Sequence, residues 1–418
     1  MKFTEYIVLE KPGAFMDPLG FLKPYTALQD LLFKQFTVLS NHPAYHGLMS
    51  CIYKVLSDKG SDPGKKGFSK DFRDLEILWG VINSKAGESI LNITKYKPLT
   101  ENSEISLGNI PKTHSIYSRL NYGTLGHYSI PSILWGILEK GGVKLTDFGV
   151  QLGKAYDTRD GISLSKWFDR WSSNEKISLD NDEIIQLSKL FNIKVKPSES
   201  EQTKWQQIIK SYCQRYPRIK CLWDDPFSED ELSAFKNNSL SYQGFFPNLK
   251  DKYPSLSKEI ELIRLFESLS ALVQFFFERE YLTCHYKTEF NAPYGQIEAN
   301  LGNSLKSLSS EYVQMTGYQD AKSLFRSLSC SSNSADLPAI IVNHHVIHQT
   351  SKRVSPFIEE GKLLVKDKVS RNDFANLLEH LAACKSNEAQ LSLINYSYRR
   401  DWHFARTSLY SNYAGGHV

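Results

Sequence analysis

Histidine and cysteine residues at helical spacing are the side chains of this sequence that could carry metal chemistry. His344 and His348 stand four residues apart, and His380 and Cys384 repeat this spacing further along the chain. Residues four apart share one face of an α-helix, so the two pairs could supply four ligands to one zinc ion. No glutamate lies between His344 and His348, so the HExxH pattern of zinc proteases is absent. A metal-dependent hydrolase or nuclease using these residues is one hypothesis, and ordinary hydrogen-bonded histidines are the structural alternative.

Other catalytic motifs are absent or have a structural explanation. Carboxylate clusters at residues 180–183, 224–225 and 229–231 lie at predicted helix N-termini, where the helix dipole stabilises negative charge. The chain has no Walker GK[ST] sequence, no GxGxxG before a helix and no GxSxG elbow. The tripeptide at residues 147–149 reads DFG, but the glycine-rich and catalytic loops of a kinase are missing. The sequence therefore favours a protein without a catalytic site.

Aromatic and basic residues alternate near the C-terminus. Residues 395–406 read NYSYRRDWHFAR, a mixture that can stack on bases and neutralise phosphates. The same residue types dominate hot spots between proteins, and packing of a terminal helix against the core is a third interpretation. Scattered pairs such as Lys65–Lys66 usually belong to a solvated face. The candidate contact residues for nucleic acid or a protein partner are Tyr398, Arg399, Arg400, Trp402 and Arg406, with Lys352 and Arg353.

The elements that must position these residues are clearest in residues 129–157. Ser129 can cap a helix whose first turn holds Pro131, and Gly141–Gly142 supplies positive φ angles for its end. Residues 143–145 are long enough for a short strand. The apolar residues of this helix fall on a single face: Ile130, Ile133, Leu134, Ile137 and Leu138.

A second helix follows directly, with Thr146 as its N-cap. Gly149 and Gly153 lie on one face of it, and each destabilises a helix by up to about 1 kcal/mol relative to Ala. We therefore expect another element to pack closely against this face, which would make it a packing and docking surface. The predicted buried stripe consists of Phe148, Leu152, Ala155 and Tyr156.

The order of these elements resembles that of winged-helix proteins. A helix, a Gly-Gly turn, a short strand, the run Leu-Thr-x-x-Gly and a second helix follow one another within about thirty residues. Winged helices contact DNA or bind other proteins. The resemblance implies a docking or DNA-contact module here.

Helical spacing of apolar residues recurs along most of the chain, so we predict a mainly α, multi-helical globular fold with a few short strands. Four regions are expected. These are an N-terminal helical region (1–100), a winged-helix-like region (101–175), a central helical region (176–335) and a C-terminal helical region with the aromatic-basic tail (336–418). The central region is built on a long apolar helix near residues 255–281. Short strands are predicted at residues 6–9, 91–96 and 363–365.

Composition limits the class of protein further. The 418 residues are 41% hydrophobic and carry a formal net charge of only +4, too mild to indicate nucleic acid by itself. The six cysteines show no CxxC pair, which favours a reducing, cytoplasmic location. The N-terminal residues contain no apolar h-region, so we expect no signal peptide. The most apolar predicted helix contains Glu261, Arg264 and Glu267, so we expect no membrane partner.

Several short motifs, taken in order, resemble a family of uncharacterised bacterial proteins associated with phage-defence or mobile-element gene clusters. They are the DPLG run at residues 17–20, RDLE at 73–76, GHY at 126–128, the LTxxGxxL run at 145–152 and the terminal motif at 406–416. The resemblance transfers no catalytic residues. The sequence departs from an Arg-Tyr-Tyr-rich helix of that family at residues 41–51.

The missing motifs and the resemblance together imply a non-enzymatic helical subunit of a bacterial assembly of the anti-phage defence type. Such a subunit would act on foreign or mobile DNA with other protein subunits, contributing docking and DNA contact. The alternatives are a metal-dependent hydrolase or nuclease, with zinc at the His/Cys site, and a scaffold without nucleic acid or metal.

Overall fold

The computed structural model shows a mainly α, multi-helical protein, as predicted. In the part of the chain that it describes, no helix is long and apolar enough to cross a bilayer. The described residues are 17–36, 42–118, 120, 123–142, 144–179, 182–228, 231, 242–286, 294–315, 319–352, 354–359, 362–363, 371–384, 386, 389–391 and 401–416.

Helices of four to thirty residues follow one another along the chain. They are α1 (Leu22–Phe33), α2 (Ala44–Asp58), α3 (Phe68–Lys85), α4 (Ile93–Tyr96), α5 (Thr124–Trp135), α6 (Asp147–Asp157), α7 (Leu164–Ser172), α8 (Asp182–Phe191), α9 (Glu199–Arg215), α10 (Cys221–Asp224), α11 (Tyr242–Lys252), α12 (Ser257–Tyr286), α13 (Tyr294–Gln314), α14 (Gln319–Cys330), α15 (Leu337–Ser351), α16 (Arg371–Ala383) and α17 (Asp401–Tyr413).

Strands are short in the described residues and form three antiparallel pairs. The pairs are β1 (Glu104–Ile105) with β4 (Ile177–Ser178), β2 (Thr158–Arg159) with β3 (Ile162–Ser163), and β5 (Ile358–Glu359) with β6 (Lys362–Leu363).

The chain forms two compact units, and each combines segments that are distant in sequence. The first unit contains Met1–Leu32 and Asp230–Arg400, and the second contains Phe33–Glu229 and Asp401–Val418. Of the four contiguous regions predicted from the sequence, 101–175 lies within the second unit, and the other three each contain a boundary between the units. Their limits follow local composition, whereas a compact unit is defined by packing between distant segments, such as that of α17 in the second unit.

The first unit is organised around α12. This helix packs against α11, α13 and α15, as expected for the long apolar helix predicted near residues 255–281, because a helix with little polar surface must be surrounded by other helices. Its buried side chains include Leu265, Phe266, Leu269, Leu272, Val273, Phe275, Phe276 and Phe277.

The second unit has an aromatic core centred on Trp135. The ring of Trp135 lies 4.8 Å from that of Tyr212 and 5.3 Å from that of Trp223, and it stacks on Tyr410 at 5.7 Å. All four side chains are buried. Because Tyr410 belongs to α17, the last described helix completes a core formed by much earlier parts of the chain.

The prediction for the first helix of residues 129–157 is wrong in its limits. Helix α5 begins at Thr124, and it ends before Gly136, which has a φ of +79°. Ile137 and Leu138 therefore lie beyond the helix. The start is determined by Glu76 of α3, whose carboxylate accepts hydrogen bonds from the Thr124 backbone N–H and hydroxyl, both at 2.7 Å.

Two features follow from this earlier start of α5. Ser129 does not cap α5, and Pro131 lies inside the helix rather than in its first turn. A cap supplied by a residue so distant in sequence cannot be recognised from local spacing.

The predicted strands have mixed outcomes. Residues 91–96 are not a strand, because residues 93–96 form α4 and a 3-10 helix (Lys97–Glu101) follows. The backbone N–H of Leu91 donates to the Tyr45 hydroxyl at 2.8 Å instead of to a neighbouring strand. The strand predicted at 363–365 is present as β6 at residues 362–363, and residues 364–365 and 6–9 lie outside the described part of the chain.

Candidate functional site

A short hairpin joins α5 to α6. The Glu139 N–H donates to the Lys144 carbonyl at 2.9 Å, and the Thr146 N–H donates to the Ile137 carbonyl at 3.0 Å. Gly141 and Gly142 have φ angles of +97° and +69°, which side chains rarely allow, and they form the tip. The predicted Gly-Gly turn therefore joins the two sides of a hairpin rather than ending a helix. Of the strand predicted at residues 143–145, Leu145 forms an antiparallel bridge with Leu138, and residue 143 lies outside the described part of the chain.

Helix α6 lies very close to α2 and to the hairpin. Thr146 caps α6 as predicted, since its hydroxyl accepts from the Gly149 N–H at 3.2 Å. A Cβ atom at Gly149 would overlap the Ile137 carbonyl oxygen, and one at Gly153 would lie 2.8 Å from the Ser50 carbonyl group. The close approach expected at both glycines is therefore present, and at Gly153 the neighbour is the backbone of α2.

Beside this contact, a cavity of about 640 Å³ lies between α2, residues 59–67, the hairpin and α6. We call it the lysine groove, because most of its charged side chains are lysines. The charged residues that line it are Lys54, Lys65, Lys144 and Lys154, with Asp58 and Asp62.

Two of these lysines are held in place by the groove itself. The Lys54 ammonium group lies 2.7 Å from a carboxylate oxygen of Asp58, and this hydrogen bond raises the pKa of Lys54. The Lys65 ammonium group donates to the Gly60 carbonyl at 3.0 Å. The Lys54 ammonium group therefore remains cationic at neutral pH, although Asp58 neutralises part of its field.

Lys144 and Lys154 differ, because their ammonium groups have no hydrogen-bond or ion-pair partner among the residues that the structure describes. Both side chains are exposed. Asp62 directs its carboxylate to the Gly64 N–H at 3.2 Å within the loop. Four ammonium groups thus face two carboxylates, so the groove carries a surplus of two positive charges and two unpaired donors for an anion.

Tyr53 supports the floor of the groove. Its hydroxyl donates to the Gly142 carbonyl at 3.1 Å, which connects α2 to the tip of the hairpin. The ring is only 5% exposed and packs edge-on against Phe68 at 5.1 Å. Burial raises the pKa of Tyr53 to about 12, so the phenol stays neutral and acts as a donor.

The histidines of α15 have a structural role in the first unit. His345 is fully buried, and its Nε2 accepts from the Phe357 backbone N–H at 2.7 Å. A backbone N–H can only donate, so Nδ1 carries the proton and donates to the Pro18 carbonyl at 2.8 Å. Burial lowers the pKa of His345 to about 4, in agreement with this neutral tautomer.

The neighbouring histidines contact the same DPLG turn at residues 17–20. His344 Nε2 donates to the Leu19 carbonyl at 2.9 Å. The ring of His348 lies so close to Gly20 that a Cβ there would be 2.7 Å from it. The turn and α15 therefore pack together, and the family-like DPLG run is explained as one half of this contact.

The predicted zinc ligands do not form a metal-binding group. His380 is exposed on α16, and the Cys384 thiol lies 3.4 Å from the His380 carbonyl oxygen. Within the described ranges, which include all four predicted ligands, no three His, Cys, Asp or Glu side chains are grouped so that they could hold a metal ion. The spacing within each pair is helical as predicted, but the two pairs are not brought together.

Most of the predicted contact residues lie outside the described part of the chain. Tyr398, Arg399, Arg400 and Arg353 lie outside the described residues, as does the side chain of Trp402. Arg406 is half-buried on α17. Lys352 follows α15 and donates to the Asp17 carbonyl at 3.3 Å. Neither Arg406 nor Lys352 lines the lysine groove.

A serine–histidine pair in the second unit was not singled out from the sequence. The Ser132 hydroxyl lies 2.6 Å from His46 Nδ1, and the Tyr410 hydroxyl lies 3.1 Å from His46 Nε2. A serine hydroxyl beside a histidine nitrogen is the arrangement of a nucleophile and its general base. However, all three side chains are buried. Burial also lowers the pKa of His46 to about 3. The hydrogen bonds link α2, α5 and α17 inside the second unit.

The lysine groove was also missed from the sequence. Its four lysines come from α2, the following loop, the hairpin and α6, so no local pattern groups them. The spacing of Gly149 and Gly153 was the available signal, because it predicted a close neighbour for α6.

No protein-family model, curated protein or solved structure matches the chain. The fold and the site therefore define this protein by their own features: a mainly α chain of two compact units, with a lysine groove beside the hairpin of the second unit.

Proposed function

We propose that this chain is a non-enzymatic helical subunit of a bacterial assembly acting on foreign or mobile DNA, and that it contacts DNA through the lysine groove. The observation that carries the DNA contact is the pair of exposed ammonium groups of Lys144 and Lys154, which have no partner among the described residues and share one cavity with Lys54 and Lys65. Lysines neutralise DNA phosphates and release the counterions condensed on them, which is the main source of non-specific affinity.

The local arrangement matters because the global charge is small. A net charge of +4 spread over 418 residues would attract DNA weakly. Four ammonium groups around one cavity give a local field that the whole-chain value does not reveal. The non-enzymatic part of the proposal is supported by the buried position of the Ser132–His46 pair and by the missing sequence motifs. The assembly rests on the family resemblance.

Fluorescence anisotropy of labelled duplex DNA tests the contact. We expect the full chain to bind at low salt, with log affinity falling by about 0.9 per phosphate contact for each tenfold rise in salt. The double variant Lys144→Gln with Lys154→Gln is expected to bind at least about tenfold more weakly, since each phosphate contact contributes a factor of about 8 at 0.1 M salt relative to 1 M.

The matched control changes two exposed lysines of the second unit outside the groove, Lys189→Gln with Lys196→Gln. It removes the same net charge and is expected to retain the affinity. Equal loss in both double variants would show a diffuse charge effect and contradict the proposal. Loss of binding only when Arg399, Arg400 and Arg406 are neutralised would place the contact in the C-terminal tail.

The exposed apolar surface of α5 supports the docking of a protein partner. This twelve-residue helix contains no Asp, Glu, Lys or Arg, and Ile130 on its surface is 63% exposed. Ile133 and Leu134 are half-exposed on the same helix. Exposed apolar surface of this kind is typical of protein interfaces.

Purification of the tagged chain from its native host tests this second candidate. We expect any stoichiometric partner to be lost with Ile130→Asp. It should be retained with Ile347→Asp, which changes a similarly exposed isoleucine of α15. Docking through α5 would be contradicted if the partner co-purifies with both variants, or with neither of them.

A further inference from the structure

The lysine groove presents cations but no accessible aromatic face. Tyr53 is the one aromatic side chain among the described residues that line it, and its ring is buried against Phe68. Proteins that bind single strands stack bases on exposed aromatic side chains, and each stack contributes about 1–3 kcal/mol. The groove offers no such platform, so it gains nothing from unpaired bases.

The described residues of the groove and of the helix before the hairpin include no side chain that reads base edges through two groups of fixed geometry. In the major groove guanine is read by Arg or Lys and adenine by Asn or Gln, but the ammonium group of Lys is a point charge on a flexible stem. The readers of fixed geometry are therefore Arg, Asn and Gln. None of them is present among the described residues that line the lysine groove, and none is present in α5. What remains is a set of ammonium groups, which bind phosphates as point charges.

We infer that the lysine groove binds the phosphate backbone of duplex DNA without reading its sequence, an inference that rests on the proposed function. The two strands of a duplex together carry one negative charge per about 1.7 Å of axis, and each neutralised phosphate releases more counterion than on a single strand, about 0.9 against 0.7. A groove that acts only through ammonium groups therefore favours the duplex.

The structure also limits the number of DNA phosphates that the lysine groove can contact. Lys144 and Lys154 are free to make one contact each, whereas Lys54 is paired with Asp58 and Lys65 with the Gly60 carbonyl. Two contacts give a log–log salt slope of about −1.8, and four would give about −3.6. We therefore expect a slope between these limits. The variant Lys144→Gln with Lys154→Gln should lower its magnitude by about 1.8.

The experiment measures anisotropy of the full chain with duplexes of several unrelated sequences and with the corresponding single strands, between about 50 and 200 mM salt. We expect the duplexes to bind equally within about twofold, and each to bind more tightly than its single strands, because phosphate contacts carry no sequence information. The charge-preserving variant Lys144→Arg with Lys154→Arg should keep both the affinity and the slope.

The outcomes separate this inference from the proposed function. Tighter binding of single strands, or strong discrimination among duplexes, would overturn backbone-only duplex recognition while leaving the DNA contact in place. Binding of no nucleic acid at low salt would overturn both. Circular dichroism of each variant shows whether the chain keeps its helix content, so that a loss of binding can be assigned to the groove.

Discussion

Replacing Glu201 with Gln should strongly destabilise the second unit, because it would leave a buried guanidinium group without its counter-charge. A carboxylate oxygen of Glu201 lies 2.7 Å from the Arg159 guanidinium, and the Tyr413 hydroxyl donates to the other oxygen at 2.6 Å. Arg159 also donates to the Leu190 carbonyl at 2.6 Å. Arg159 is 5% exposed and Glu201 is fully buried. The network joins β2, α9 and α17.

Removing one partner of a buried ion pair typically costs about 3–5 kcal/mol. In a domain of about 200 residues, each kcal/mol lowers the melting temperature by about 2–4 °C, so we expect a loss of about 6–20 °C. Because Tyr413 is the anchor of α17 on this network, amide hydrogen exchange of α17 should accelerate as well. Thermal melting followed by circular dichroism measures the first effect, and hydrogen exchange measures the second.

The matched control is the exposed pair of Arg170 and Glu175. Their side chains lie 2.6 Å apart but are 39% and 43% exposed, so solvent screens the pair and it contributes little to stability. Glu175→Gln should therefore melt close to the wild type. If Glu201→Gln also melts within about 2 °C of the wild type, the pair does not stabilise the unit as argued from its burial.

Three further predictions concern packing, pH and metal content. Gly153→Ala should destabilise the second unit by about 1–3 kcal/mol because the new Cβ meets the α2 backbone at Ser50, whereas Gly295→Ala, in open space, should be neutral or stabilising in urea unfolding. His345 has a pKa of about 4 when folded against 6.5 when unfolded, so its contribution to stability is complete above 6.5 and is lost as the pH falls towards 4. A melting temperature that stays constant as the pH is lowered from 6.5 to about 4 would contradict this. Elemental analysis of the purified chain should find no stoichiometric zinc, because the predicted ligand pairs are apart.

The helices could be predicted well from the sequence because helical spacing is a local property. Helix α2 and the long helix α12 appear where apolar residues recur at the helical period. The start of α5 could not be found in this way. Its first backbone N–H is capped by Glu76, which lies 48 residues earlier, and only the folded chain brings the two together.

In the candidate site, too, contacts within one helix could be predicted from the sequence, whereas contacts between distant segments could not. His344 and His348 do share a face of α15, as their spacing predicts, but they contact the DPLG turn instead of a second pair of ligands. Lys65 and Lys144 were indistinguishable in the sequence from lysines of an ordinary solvated face. Their common position on one cavity depends on how α2, its following loop and the hairpin pack.

Gly153 connects that packing to the groove. A glycine inside a helix lowers its stability by up to about 1 kcal/mol relative to Ala, yet here it lets α6 lie directly on the backbone of α2 at Ser50. Lys154 follows this glycine, and Lys54 lies one helical turn beyond Ser50, so both lysines stand beside the point of closest approach. A side chain at position 153 would push the two helices apart and move their lysines with them. The close contact predicted from two glycines therefore also determines the spacing of the cations on which the proposed DNA contact depends.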